Sequence, residues 1–422
     1  MHYHKHFIVG NILLLLIVLF LSYEPVKSQN FRLSSKDSAN GRPEWFGYLQ
    51  LKLKFNGIYD ISGGLQGEHT FNLNKIDVWG NDNTPNLWMD LYQSQLRLFG
   101  SHEIGGHQAI GYFEADFWAG DNRMRMRMAY LQYKFFQVGQ DWSFFGDKNI
   151  WPNVFDWDGP SSGIWRRDPL IRFFWNTESN WEFETGIELP GAQINFLDDL
   201  DTTFKNATGN PIPDVIAAVK KKFDGGHVRL SAIARFLPYK KSDDLLFENG
   251  YGASLSGFIS TSKKYKNPIQ FQFVYGYGIA TYIVSFGGAQ YDAVVNGYGD
   301  LKAVPAFGGW LSYELWLNKI FHVNFVAGIT DFVSPKFRYA EVPEGGFNVV
   351  DGHVELDYYY GLINFMADPL KDFTVGVEFN IGSRNNQYFD IVNPINPLPD
   401  ANDYHKQSRL ATRISFGIFY NF

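Results

Sequence analysis

The chain contains no cysteine, so it can have neither a disulfide framework nor a lipid attached through a processed N-terminal thiol. Beyond its first 28 residues it lacks any apolar run long enough for a membrane helix, which needs about 20 such residues. Strong charge of either sign is missing too. The formal net charge of −7 becomes −8 once Lys5, Lys27 and Glu24 are set aside with the leader, and that mild acidity argues against a nucleic-acid binder. Histidines are scattered without a metal-ligating pair, no Ser, His and acid combination stands out, and no Gly-rich loop joins a strand to a helix. The sequence therefore calls for no metal, no cofactor and no catalytic residue.

What is present is aromatic and alternating. Phe, Trp and Tyr make up 18% of the chain, and glycine contributes 41 residues. Mean hydropathy is only −0.23, a mixture expected where half of each strand faces lipid and half faces water. Residues 1–28 read as a secretory signal: His2, His4, Lys5 and His6, an apolar run from Ile12 to Leu21, then small and polar residues to Ser28. Residues 29–44 read as a short periplasmic segment.

From 45 to 422 the pattern is a succession of period-2 segments. In the last, Leu410, Thr412, Ile414, Phe416, Ile418, Tyr420 and Phe422 alternate with Arg409, Arg413, Ser415 and Asn421. A terminal aromatic is what the closing strand of an outer-membrane barrel carries, so Phe422 is expected to address the outer-membrane assembly machinery. In the first, Trp45, Leu49, Leu51, Leu53, Phe55 and Tyr59 oppose Tyr48, Gln50, Lys52, Lys54 and Asn56.

Sixteen such segments can be traced, with eight longer loops alternating with seven tight turns. The spacing predicts an all-β fold: a transmembrane, antiparallel, up-and-down β-barrel in the outer membrane of a Gram-negative bacterium, in contact with its lipid. The segment from Val215 to Phe223 reads as a strand or a short helix. Trp45, Tyr133, Trp175, Trp181, Trp316, Phe321, Phe373, Tyr420 and Phe422 fall near the short-turn ends and read as an interfacial girdle. A soluble sandwich is the rival, but it needs a second apolar layer that these strands do not show.

With the apolar faces outward, the inward faces carry Lys52, Lys54, Arg97, Arg123, Arg125, Arg127, Arg172, Arg229, Arg409 and Arg413 among their cations, against Glu114, Asp116, Glu182 and Glu184 among their acids. A narrow lumen focuses such a field and draws anions. The densest feature is Arg123 to Met128, RMRMRM. Uniform alternation would carry its arginines to the lipid side together with Ala129, Leu131 and Tyr133, at about 2–4 kcal/mol each. A β-bulge near Ala129, burial against another subunit, or a solvated strand end would each avoid that.

The most distinctive string starts at Val138: VGQDWSFFGDKNIWPNVFDWDGPSSGIWRRDPLIRFF. With the preceding Arg123 to Tyr130, it resembles the DcaP-like porins, trimeric sixteen-stranded channels with a GQ-x-WS-x-F-x-D, D-x-x-GP and R-x-P-x-IR series. Met128 stands where that family often has His. The resemblance covers residues 120–175 closely. It implies that the loop 143–169 folds into the barrel as a constriction, that the pore favours small anionic solutes such as carboxylates, and that the chain forms a homotrimer.

Carried onto this sequence, Arg125, Arg127, Arg166, Arg167 and Arg172 become constriction candidates, and Trp142, Ser143 and Asp147 anchor the loop. Independently, Trp142 at its base with Trp151, Trp157 and Trp165 give the loop the bulk to pack inside a barrel. Arg166 and Arg167 could instead pair with Asp156, Asp158 or Asp168. The function expected is passive diffusion of small hydrophilic solutes, anions preferred. A barrel enzyme of lipase or protease type and an adhesin or receptor barrel are the alternatives.

Overall fold

A computed structural model describes residues 31–35, 45–65, 68–80, 82–118, 123–195, 204–207, 209–264, 266–295, 300–334, 337–341, 348–389 and 406–422. The expected signal segment 1–28 lies outside them. Of the expected periplasmic segment, Phe31–Ser35 is described and pairs antiparallel with residues 45–49.

Sixteen strands form the wall. They are β1 Trp45–Asp60, β2 in two pieces (Asn86–Asp90 and Gln95–Ile104), β3 His107–Asp116, β4 Arg125–Tyr133, β5 Phe136–Trp142, β6 Arg167–Asn176, β7 Trp181–Glu188 and β8 Asp214–Phe223. Then follow β9 Gly226–Lys241, β10 Asp244–Ser262, β11 Lys266–Tyr277, β12 Pro305–Trp316, β13 Phe321–Val333, β14 Asn348–Leu370, β15 Phe373–Phe389 and β16 Lys406–Asn421. Each pairs antiparallel with the next, and β16 pairs with β1 from Lys52↔Asn421 to Asp60↔Arg413. Closure leaves no edge, which is the condition for strands to stand in hydrocarbon without unpaired backbone groups.

At one end the strands turn tightly. Gly105 and Gly106, both at positive φ, make the two-residue hairpin between β2 and β3, a geometry that only glycine adopts without strain. Lys134, Asn180, Gly225 and Asp372 do the same work elsewhere at that end. At the other end the connections are mostly long, with two exceptions to the expected pattern. β3 and β4 are joined by 117–124, and β9 and β10 by a hairpin at Ser242 and Asp243. The β9–β10 ladder runs on past the membrane into residues too polar to show the period, so the expected loop there is strand.

Alternation sorts the faces as expected in most strands. Leu131 is 65% exposed and Tyr251, Leu311 and Val377 more than half exposed, forming an apolar exterior belt. Among the described residues no helix is long and apolar enough to cross a membrane. β8 is a strand throughout, with Ile216, Ala218 and Lys220 inward and Val215 outward. Trp316 corrects the girdle: its ring lies inside the barrel, stacked on His322 at 4.2 Å and 10°. Trp175, Trp181, Phe321 and Phe422 do face outward.

The interior is not uniformly wet. Residues 61–65, 68–80, 143–166 and 278–295 turn back into the barrel and bury Leu65, Phe71, Leu73, Phe145, Tyr282 and Phe286 against one another and against Phe332, Tyr358 and Tyr360 of the wall. This apolar packing fills the side facing β8–β16.

Candidate functional site

Opposite that packing, the inner wall of β1–β6 carries charge. Alternation along β3 points Tyr112, Glu114 and Asp116 inward. Arg97 of β2 stands directly across from Glu114 and donates through Nε at 2.7 Å. Across from Asp116 is Arg125 of β4, which donates through Nε and Nη2 at 3.0 and 2.7 Å, a bidentate pair.

The register between β3 and β4 then slips: Glu114 faces Met128 and Ala115 faces Met126, leaving Arg127 as the extra residue. The bulge lies two residues before Ala129. It turns Arg127 inward on the same side as Arg125, where it donates to Glu114 at 2.6 Å and Asp116 at 2.8 Å. Met124 and Met126 face outward in place of the arginines. Arg123 precedes the strand and is exposed.

The segment 143–166 crosses the interior on partners supplied by inward side chains. Ser143 N–H donates to the Arg166 carbonyl at 2.8 Å and closes its base, while Ser143 Oγ accepts from Phe145 N–H at 3.2 Å. Asp147 Oδ2 lies 2.7 Å from His227 Nε2 and accepts from Ser256 Oγ at 3.1 Å; its Oδ1 caps a short 3-10 turn through Asn149 N–H. Burial alone would raise the Asp147 carboxyl, but His227 and the charge of Arg229 hold it well below the usual carboxylate range.

Farther along, Gln272 accepts from Ile164 N–H at 2.9 Å. Glu378 of β15 accepts from Phe155 N–H at 2.7 Å and Asp156 N–H at 2.9 Å. Asp156 in turn accepts from Phe71 N–H at 2.9 Å and from Arg413 at 3.0 Å. The next residue but one, Asp158, is pushed up to about 6 by burial and by the neighbouring Asp156 carboxylate. Between them Trp157 reaches the opposite wall and stacks on Trp118 at 5.9 Å.

The expected site residues thus fall into two groups. Arg229 is buried, donating to Glu184 at 2.7 Å, to the Gly146 carbonyl at 2.7 Å and to the Phe144 carbonyl. Arg409 donates to the carbonyls of Asp77 and Gly80 at 2.9 and 3.0 Å. With Arg413 on Asp156, these three tether loops. Arg166 pairs with Asp168 at 2.6 Å and lies over the Tyr282 ring, and Arg172 pairs with Glu184 at 3.3 Å and with Gln137.

The second group is Lys52, Lys54, Arg97, Arg125, Arg127 and Arg167, gathered on the β1–β6 wall. The carboxylates paired with them are Glu114 and Asp116, so cations outnumber acids in that cluster, while Asp141 and Asp168 on the same wall are held by Lys148 and Arg166. Sequence reading missed the aromatic surfaces among them. Trp157 lies 4.9 Å from Lys54 Nζ and 4.4 Å from the Arg127 guanidinium, Phe419 lies 4.4 Å from Lys54 Nζ, and Trp142 lies 4.8 Å from Arg167. Phe419 occupies an inward position of β16 beside Gly417, a signal that alternation alone offers.

No family model and no curated protein sequence matches the chain. Solved structures do. The outer membrane channel DcaP of Acinetobacter baumannii superposes with a TM-score of 0.69 at 17% identity, over 92% of this chain and 100% of that one. The anion-selective porin from Comamonas acidovorans matches with a TM-score of 0.52 at 10% identity, over 90% of this chain and 100% of that one. At these identities the likeness establishes the fold, a closed porin-type barrel.

Proposed function

We propose that the chain is a porin of a Gram-negative outer membrane, giving passive diffusion to small hydrophilic solutes and preferring anions, carboxylates among them. The observation that carries this reading is the excess of cations in the cluster of Lys52, Lys54, Arg97, Arg125, Arg127 and Arg167 over its two carboxylates, Glu114 and Asp116, opposite an interior otherwise filled by loops. Dry packing against β8–β16 leaves the charged wall as the place where water and solute can pass, and low-dielectric surroundings strengthen its field. That one structural neighbour is described as an anion-selective porin agrees with it. The segment 143–169 is the constriction, and Trp142, Ser143 and Asp147 hold its base.

A homotrimer suits the same wall. β4 and β5 have 9 and 7 residues, at or below the roughly 9–11 that a tilted strand needs to span a bilayer, so a partner copy outside β2–β5 would shield the short side from lipid. The barrel-enzyme alternative gains nothing from the Ser256, His227 and Asp147 cluster: Ser256 Oγ and His227 both turn to Asp147, buried beneath the loop, so the histidine does not activate the serine. An adhesin barrel needs no cationic wall.

Planar bilayers under a KCl gradient test the proposal. A reversal potential of the sign set by chloride is expected, and one set by potassium would overturn the anion preference. Absence of any conductance from folded protein would remove the porin reading itself.

A further inference from the structure

Among the described residues, Lys52, Lys54 and Arg167 have no carboxylate within salt-bridge distance, unlike Arg97, Arg125 and Arg127. Each of the three lies against an aromatic ring instead. Lys52 Nζ is 6.0 Å from the Phe419 centroid, Lys54 Nζ 4.4 Å from Phe419 and 4.9 Å from Trp157, and the Arg167 guanidinium 4.8 Å from Trp142. Arg127 joins the two ends, 4.4 Å from Trp157 and 5.9 Å from Trp142.

The result is a continuous strip in which cation and ring alternate: Lys52, Phe419, Lys54, Trp157, Arg127, Trp142, Arg167. It crosses β16, β1, the inward loop and β4–β6. Nη1 of Arg167 is buried without a hydrogen-bond partner.

A carboxylate and a ring hold a cation in physically different ways. The carboxylate cancels the charge seen at a distance, whereas the ring attracts through its quadrupole and leaves the net charge intact. Arg125 pairs with Asp116, Arg97 with Glu114 and Arg127 with both, so the field of that group is largely spent locally. Lys52, Lys54 and Arg167 have no paired carboxylate among the described residues to cancel theirs.

We infer that Trp142, Trp157 and Phe419 are positioning residues for solute selection: they hold Arg167, Lys54 and Lys52 at the wall with their charge uncancelled, and these three cations, not the β4 arginine ladder, set the preference for anions. This rests on the anion-preferring channel proposed above.

Reversal potentials of the full-length trimer or monomer, as it purifies, decide the matter. Arg167→Gln and Lys54→Gln should each lower the chloride-to-potassium permeability ratio by roughly two- to fivefold, the range one charge exerts over several ångströms of water. Trp142→Leu should lower it as well, while Trp142→Phe, which keeps a ring face, should hold it near wild type.

A ratio unchanged in Arg167→Gln and Lys54→Gln channels of wild-type conductance overturns the inference and leaves the anion channel standing. A wild type that prefers potassium overturns the anion preference on which the inference rests, and leaves the channel itself standing. Equal ratios in Trp142→Leu and Trp142→Phe would overturn the positioning role, and should the leucine variant fail to conduct, Arg167→Gln alone decides.

Discussion

The two halves of the barrel interior use the same residue type to opposite ends. On the β8–β16 side, Arg229 and Arg413 are almost wholly buried, and each is consumed by a carboxylate and, for Arg229, by loop carbonyls. On the β1–β6 side, Arg167 and Lys54 rest on rings with no acid beside them. Counting inward cations along the strands therefore overstates what a solute meets. What matters is whether the partner is an anion, which removes the charge from the field, or a π-face, which does not.

If the dry half is held by such pairs, breaking one should cost stability and leave selectivity alone. Arg413→Ala strands Asp156 as a buried carboxylate beneath Phe71, with Glu378 close by on the other side of the Asp156 backbone. Losing one partner of a buried pair costs about 3–5 kcal/mol. A lowered unfolding midpoint in detergent with the permeability ratio of wild type is the expected outcome. An unchanged midpoint would mean that the loop does not depend on this tether, and a changed ratio would erase the distinction between the halves.

The converse experiment acts on the wet wall. Asp116→Asn keeps the shape and hydrogen-bonding reach of the side chain that Arg125 and Arg127 grip, but returns one unit of positive charge to the field. Anion preference should rise by up to roughly fivefold, about 1 kcal/mol at contact in water. The midpoint should move less than in Arg413→Ala, because both arginines keep a partner and Glu114 still neutralises Arg127. Reversal potentials and melting together check both halves of that statement, and a fall in anion preference would contradict it.

How far the sequence revealed this division depends on which contacts are local. Fifteen of the sixteen strands were legible because lipid on one face and water on the other write a period of two directly into neighbouring residues, as β16 displays; β8, with its VIAAV core and KKK run, read equally as a short helix. The β4 bulge was legible for a different reason. Three arginines on a lipid-facing parity are too costly to be true, and of the ways to avoid that cost the slip expected near Ala129 is the one seen for Arg127, where it occurs, while Arg123 lies exposed before the strand.

The dry half was not legible. Phe71, Leu73, Ile283 and Phe286 sit in stretches without periodicity and read as loop, and their burial depends on Phe332, Tyr358 and Tyr360, far away in sequence. Trp316 misled because a Trp near a strand end has the composition of a membrane interface, and only its register with His322 reveals that it points inward. The aromatic strip was half visible. Its cations and two of its tryptophans could be picked out, but the meeting of Lys54 with Trp157 is a product of the loop crossing the bore.

Asp158 stands at the border of the two halves and should link them, weakly, to pH. It follows Trp157, which touches the wet wall, and accepts from Asn72 Nδ2 at 3.4 Å on the dry side. Burial and then the Asp156 carboxylate push its carboxyl up to about 6 from a usual 3.8, so the fold favours the neutral form. The sign follows from linkage. Below the ordinary 3.8 the group is neutral whether folded or not and costs nothing; between there and about 6 the unfolded group ionises while the folded one resists, so the cost grows, and above about 6 it is complete and a second negative charge stands beside Asp156. Loop packing should therefore loosen on the alkaline side. The extra negative charge next to Trp157 should also trim anion preference between about pH 5 and pH 7, by less than roughly twofold because water and salt screen it. Reversal potentials across that range check it against Asp158→Asn, which should be flat; an equal slope in both proteins would move the titration to some other group.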